Sequence, residues 1–221
     1  MRRLLDAARG HPSAVLLVAQ LLGVVAYPFF GDRAAGRAGL SLFSLLFLVL
    51  AIMAVRSTPA FTWIAGVLGI PIVVLTILEA VYPANETIEL WSSVVHALFY
   101  FYVAYGLIRY MFNDNVVTRD ELYATGAAFT VVAWAFTYVF VVVQIIYPGS
   151  FTAAVDPEGQ RSWFEMLFLS FTTLTSTGLS DVVPIRPHAR AIVMIEQVAG
   201  LMYVAMIVSR LVGLTLTRAR M

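Results

Sequence analysis

Apolar residues along this chain gather into long runs, and short clusters of Gly, Pro, Asn and charged residues separate them. Six runs approach the roughly 20 residues that a helix needs to cross a hydrocarbon layer about 30 Å thick. They cover Ser13–Phe30, Gly39–Val55, Ala60–Tyr82, Leu90–Phe112, Leu122–Tyr147 and Ala189–Thr215. The separators are Gly31-Asp32-Arg33, Arg56-Ser57-Thr58-Pro59, Pro83-Ala84-Asn85-Glu86 and Asn113-Asp114-Asn115, which suit a membrane surface. Aromatic rings stand near span ends, at Tyr27, Tyr82, Trp91, Tyr110, Tyr147 and Trp163, as in an interfacial belt.

Two polar signatures place helix starts. Thr118-Arg119-Asp120-Glu121 is a capping box, so a helix is expected from about Arg119, running along the inner surface before it enters the fifth span. Ser162-Trp163-Phe164-Glu165 is a second one, opening a shorter apolar run, Trp163–Leu174, between the last two spans. That run is too short to cross a bilayer and suits a re-entrant helix. It turns hydroxyl-rich at Thr172-Thr173-Leu174-Thr175-Ser176-Thr177, breaks at Gly178, and returns through Asp181 and Pro184. Irregular backbone at membrane depth is tolerated only where it lines a water-filled path or is buried in protein.

Composition narrows the class further. Hydrophobic residues fill 61% of the 221 positions and charged residues only 12%, too few to cover a soluble domain. A net charge of +1 gives no sign of a nucleic-acid partner. The absence of Cys excludes disulfides, thiolate metal sites and a cysteine nucleophile. Met1-Arg2-Arg3 before the first run is reminiscent of a signal peptide, but no small-x-small cleavage site follows, and a retained first helix is expected.

All 14 basic residues are Arg, and their placement sets an expected orientation. With the N-terminus inside, Arg2, Arg3, Arg9, Arg56, Arg109, Arg119, Arg210, Arg218 and Arg220 are cytoplasmic, against Arg33, Arg37, Arg161, Arg186 and Arg190 outside. Nine against five puts both termini in the cytoplasm.

The segment Ser162–Pro184 resembles the pore of the potassium-channel superfamily, whose signature is Thr-Val-Gly-Tyr-Gly-Asp after a Thr-rich pore helix. Ser176-Thr177-Gly178-Leu179-Ser180-Asp181 stands in that place, preceded by Phe171-Thr172-Thr173-Leu174-Thr175 and followed by Val182-Val183-Pro184. Ala189–Leu214 resembles the inner helix of small bacterial six-span channels that lack a cytoplasmic sensor, and Val117–Tyr147 their linker and outer helix. The resemblance implies an all-α membrane protein of six transmembrane helices plus a re-entrant pore helix and filter loop. The implied architecture is tetrameric and voltage-gated-channel-like, without a charged sensor helix. Residues 1–116 would form a four-helix peripheral domain and residues 117–221 the pore domain.

In that family, rings of filter carbonyls replace the water shell of an ion. Carried over, the ion-conduction filter is Thr175, Ser176, Thr177, Gly178, Leu179, Ser180 and Asp181, with Glu196 and Gly200 as candidate gating or support residues. The resemblance implies a homotetramer in the plasma membrane, surrounded by lipid, that passes a monovalent cation, potassium first, and needs no cofactor. Two departures stand out. Ser180 replaces the second filter Gly, and a left-handed Ser there would cost roughly 1–2 kcal/mol per subunit. Leu179 replaces the Tyr whose hydroxyl tethers the filter, so relaxed selectivity is an open alternative, including sodium or proton permeation.

The remaining signals are few. Glu79, His96 and Glu196 are ionisable groups inside spans, a functional hypothesis by default. Glu79 and His96 could pair across the hairpin of spans three and four, as a satisfied polar pair or a proton-sensitive element. Glu196 would brace pore-helix hydroxyls behind the filter. Span four carries only Arg109, at its inner end, which excludes steep voltage gating. Gly200 and Gly213 suit either hinges or close packing. Asp181, Asp156, Glu158 and Glu86 form an acidic outer surface, partly offset by Arg186 and Arg190.

The chain as given ends seven residues after Leu214, so no cytoplasmic ligand-binding domain is expected. A Trk-like ion-uptake subunit is the competing transporter reading, but such proteins build four pore repeats into one chain, whereas this chain holds one. No metal-ligand spacing or Ser–His–Asp arrangement suggests an enzyme.

Overall fold

A computed structural model describes residues 11–29, 46–53, 62–83, 85–113 and 118–219. The long helices are α1 (Pro12–Ala26), α2 (Thr62–Val81), α3 (Glu86–Met111), α4 (Arg119–Ile146) and α6 (Pro187–Ala219), with the short α5 (Trp163–Leu174) between the last two. Two-residue strands β1 (Phe151–Thr152) and β2 (Val183–Pro184) flank α5. Among the described residues, five helices are long and apolar enough to cross a bilayer, the first extended by a 3-10 turn over Tyr27–Phe29. The chain is therefore a multi-pass, helical membrane protein. Of the expected second span, Gly39–Val55, residues 46–53 are helical and the rest lies outside the described residues, as do Arg2, Arg3, Arg9, Arg33, Arg37 and Arg56.

The helix ends follow from local chemistry. The Asn85 side chain accepts hydrogen bonds from the N–H groups of Thr87 (3.0 Å) and Ile88 (3.2 Å), opening α3 one residue after the turn that leaves α2. Thr118 accepts from the Glu121 N–H at 3.2 Å, and α4 begins at Arg119 as its capping box predicts. The N-cap of α1, His11, supplies no side-chain bond. Asp120 substitutes for it from α4. Its carboxylate accepts the Ser13 N–H at 3.2 Å and the Ser13 hydroxyl at 2.9 Å. Pro12, in the first turn of α1, has no N–H to satisfy.

The chain divides into two compact units, Met1–Val131 and Val132–Met221, with the division inside α4. In the first, α2 and α3 pack as a hairpin, and Leu17 of α1 lies against Gly126, where an added Cβ would meet the Leu17 Cδ2 at 2.9 Å. Small residues at Ala124, Ala127 and Ala128 are fully buried, giving the close backbone approach on which helix packing in lipid depends. Within α3, the Ser92 hydroxyl lies 3.2 Å from the His96 Nδ1. His96 Nδ1 also lies 2.8 Å from the Ser92 carbonyl, so this nitrogen donates. The partner of His96 seen here is thus Ser92, one turn back on the same helix.

The second unit holds the remainder of α4, the α4–α5 loop, α5, the segment after it, and α6. Its core gathers Phe140 and Val143 from α4, Phe151 from β1, Met166 and Leu169 from α5, and Val193 from α6. Trp163, the first residue of α5, packs edge-on against Trp134 of α4 with ring centroids 5.5 Å apart. The antiparallel pair β1–β2 aligns Phe151 with Pro184 and Thr152 with Val183. It ties the loop leaving α4 to the segment that returns from α5.

Candidate functional site

The site is built on the C-terminal end of α5. The Ser162 capping box forms in full: the Glu165 N–H donates to the Ser162 Oγ at 3.3 Å, and the Ser162 N–H to Glu165 Oε2 at 2.7 Å. The helix starts at Trp163 and ends at Leu174, the limits its sequence implies. Twelve residues rise only about 18 Å. It cannot span, and the backbone beyond it is irregular.

That backbone leaves the helix through a Schellman turn. The Ser176 N–H donates to the Thr173 carbonyl (3.0 Å) and the Thr177 N–H to the Thr172 carbonyl (3.0 Å). The turn requires a left-handed residue after the cap, and Ser176 takes it at φ 57°. Gly178 is left-handed as well, at φ 67°, as the sequence implies for the filter Gly. Ser180 is a correction: it is not among the described residues with positive φ, so the left-handed cost falls on Ser176 instead. Ser180 is otherwise engaged, its N–H donating to the Gly178 carbonyl (3.1 Å) and its Oγ accepting the Val182 N–H (3.1 Å).

The segment's carbonyls divide accordingly. Among the described residues, no backbone N–H is bonded to the carbonyls of Thr175, Ser176, Thr177 or Leu179. All four residues are exposed on the single chain, Leu179 at 78%. Of the hydroxyls, that of Thr175 donates back to the Phe171 carbonyl at 2.7 Å and lies 3.0 Å from that of Thr177. The Thr175 hydroxyl is thus engaged with its own helix, while its carbonyl receives no backbone N–H among the described residues. Asp181 is exposed and makes no ion pair among the described residues. Arg186 and Arg190 direct their Nε groups to the carbonyls of Gly149 (3.3 Å) and Pro184 (3.2 Å).

Behind the segment, α6 closes on α5 along a two-point seam. Ser170 of α5 hydrogen-bonds Glu196 of α6, the brace the sequence suggests, and both are fully buried. One turn on, Gly200 faces Leu174. A Cβ added at Gly200 would overlap the Leu174 carbonyl oxygen and lie 2.8 Å from its carbon. Of the two readings of Gly200, close packing is the one seen. The described side chains of α6 stop short of Gly213.

Two residues of this site escape a reading of sequence alone. Arg161, counted above as an outer-surface charge, is buried. Its guanidinium donates to the carbonyls of Val155 (3.0 Å), Asp156 and Gly159 (2.8 Å), and pairs with Glu165 at 3.1 Å. The Gln144 side chain grips its backbone, accepting the Arg161 N–H at 2.8 Å and donating to its carbonyl at 3.0 Å. Together they hold the α4–α5 loop on the start of α5. The only advance signal is Arg161 standing four residues before Glu165.

Neither a curated protein nor a solved structure matches the chain significantly. The profile of the family described as "Ion channel" matches residues 97–216, more than half of the chain, from within α3 through α4, α5 and the segment after it into α6. The chain belongs to this ion-channel family, and its pore segment is that of the potassium-channel superfamily.

Proposed function

We propose that the chain is the pore-forming subunit of a homotetrameric cation channel, conducting potassium passively through the segment Thr175–Asp181. The observation that carries this is the set of unpaired carbonyls at Thr175, Ser176, Thr177 and Leu179, exposed at the end of a helix too short to span. Backbone carbonyls in a membrane need a partner, and one strand of them cannot surround an ion. Four copies about an axis would turn each carbonyl into a ring of four, which can replace the water shell of a cation. The apolar side chains of Met194, Val198, Leu201 and Met202, exposed on α6, would then find neighbours between subunits.

Both termini would face the cytoplasm, with the channel in the plasma membrane. A second reading, a monovalent cation channel of relaxed selectivity, is favoured by one observation. Alternation of left-handed residues stops after Gly178, and the Gly178 carbonyl already receives the Ser180 N–H. The outer filter would then offer fewer free oxygens. Reversal potentials in opposed potassium and sodium gradients separate the two. A shift toward the potassium equilibrium potential supports the first, and a value near zero supports the second.

A further inference from the structure

Three helices of the pore unit meet at one hydroxyl. Ser170 Oγ lies 2.7 Å from the Ala133 carbonyl of α4 and in hydrogen-bonding contact with Glu196 Oε1 of α6. All three residues are fully buried. A serine hydroxyl has one hydrogen to give. The Ala133 carbonyl, which also receives the Thr137 hydroxyl at 2.8 Å, has none. If Ser170 donated to Glu196, its Oγ and the Ala133 oxygen would face each other at 2.7 Å with no proton between them.

From this geometry we propose that Glu196 carries a proton and donates it to Ser170 Oγ, so that the relay runs Glu196 O–H to Ser170 O–H to the Ala133 carbonyl. Every hydrogen then has one acceptor and every contact is attractive.

Two further observations agree. Glu196 Oε2 is buried without a hydrogen-bond partner among the described residues. A neutral acid tolerates that for its carbonyl oxygen far better than an ion does for a charged one. Neither the Arg161–Glu165 salt bridge nor the His11–Asp120 contact of the first unit reaches Glu196. The groups hydrogen-bonded around the relay are the hydroxyls and carbonyl of Ser170, Thr137 and Ala133; none titrates.

The relay makes Glu196 a positioning residue. It acts through Ser170, one turn before Leu174 and the filter, and holds the pore helix to both flanking spans by bonds with a fixed direction. That consequence for conduction rests on the pore reading above; the proton assignment does not.

The test is infrared spectroscopy of the full chain in lipid vesicles at neutral pH, subtracting the spectrum of Glu196→Gln from that of the native protein. The expected result is the C=O stretch of a neutral carboxylic acid, displaced to higher frequency in Ser170→Ala, where its partner is gone. A difference spectrum holding only carboxylate bands would overturn the proposal, whether or not the protein conducts. In conduction, Gln supplies an N–H donor in place of the acid and should preserve the current, whereas Glu196→Leu should lower it about tenfold, the equivalent of one buried hydrogen bond. Equal losses in Gln and Leu variants, both verified as assembled, would overturn the positioning role. An acid band in a protein that conducts nothing would uphold the proton and reject the pore.

Discussion

At the scale of single residues, Ser176 is where local strain and proposed function coincide. Its left-handed backbone costs about 1–2 kcal/mol, and Gly would lose about 0.5–1 kcal/mol of chain freedom in exchange for removing it. Ser176→Gly should therefore raise stability by on the order of 0.5–1 kcal/mol per subunit, read as a higher thermal midpoint, while Ser176→Val should lower it. Ser176→Ala should leave the fold intact but reduce single-channel conductance, because the Ser176 hydroxyl, unbonded among the described residues, is available to a passing ion. Leu179→Tyr combined with Ser180→Gly should raise potassium-over-sodium permeability. No gain from a wild type already selective would mean that Ser180 is accommodated without widening the path. The break in regular backbone after α5 was legible in the hydroxyl-rich run and in Gly178. Which residue would be left-handed was not, because that depends on where α5 ends and on the Schellman turn, which puts φ > 0 at Ser176, not Ser180.

At the scale of elements, the α5–α6 seam and the Asp120 bridge are the joints most open to test. Gly200→Ala would drive a methyl group into the Leu174 carbonyl, which is rigid backbone. A loss of about 1–3 kcal/mol is expected from forcing apart so close a contact, measured as a fall in thermal midpoint together with loss of current. Asp120→Ala leaves the first turn of α1 uncapped and should cost about 1 kcal/mol, with faster hydrogen exchange confined to the start of α1 as its signature. The start of α5 could be read from the sequence because its capping box joins residues three apart, and α4's start because Thr118 caps it locally. The Asp120–Ser13 cap joins residues 107 apart, and the burial of Arg161 depends on carbonyls of a folded loop. Tertiary contacts of this kind leave no periodic trace.

On the scale of the whole molecule, Arg109 is the only Arg in α3, and it is exposed in the last turn of that helix. One charge moved across the membrane supplies about 2.3 kcal/mol per 100 mV, against the tens of kcal/mol behind steep voltage gating. Open probability should therefore change little with voltage in planar bilayers. Membrane class, the five long apolar helices among the described residues and the short helix between the last two were legible, because bilayer thickness dictates run length. The most direct test of the central claim is current across bilayers holding purified protein whose native mass corresponds to four chains, with a gradient of potassium chloride. The account predicts a conductance whose reversal potential moves toward the cation equilibrium potential and which falls on Ser176→Ala. No current above protein-free membranes, a reversal set by chloride, or a stable monomer in lipid would contradict it.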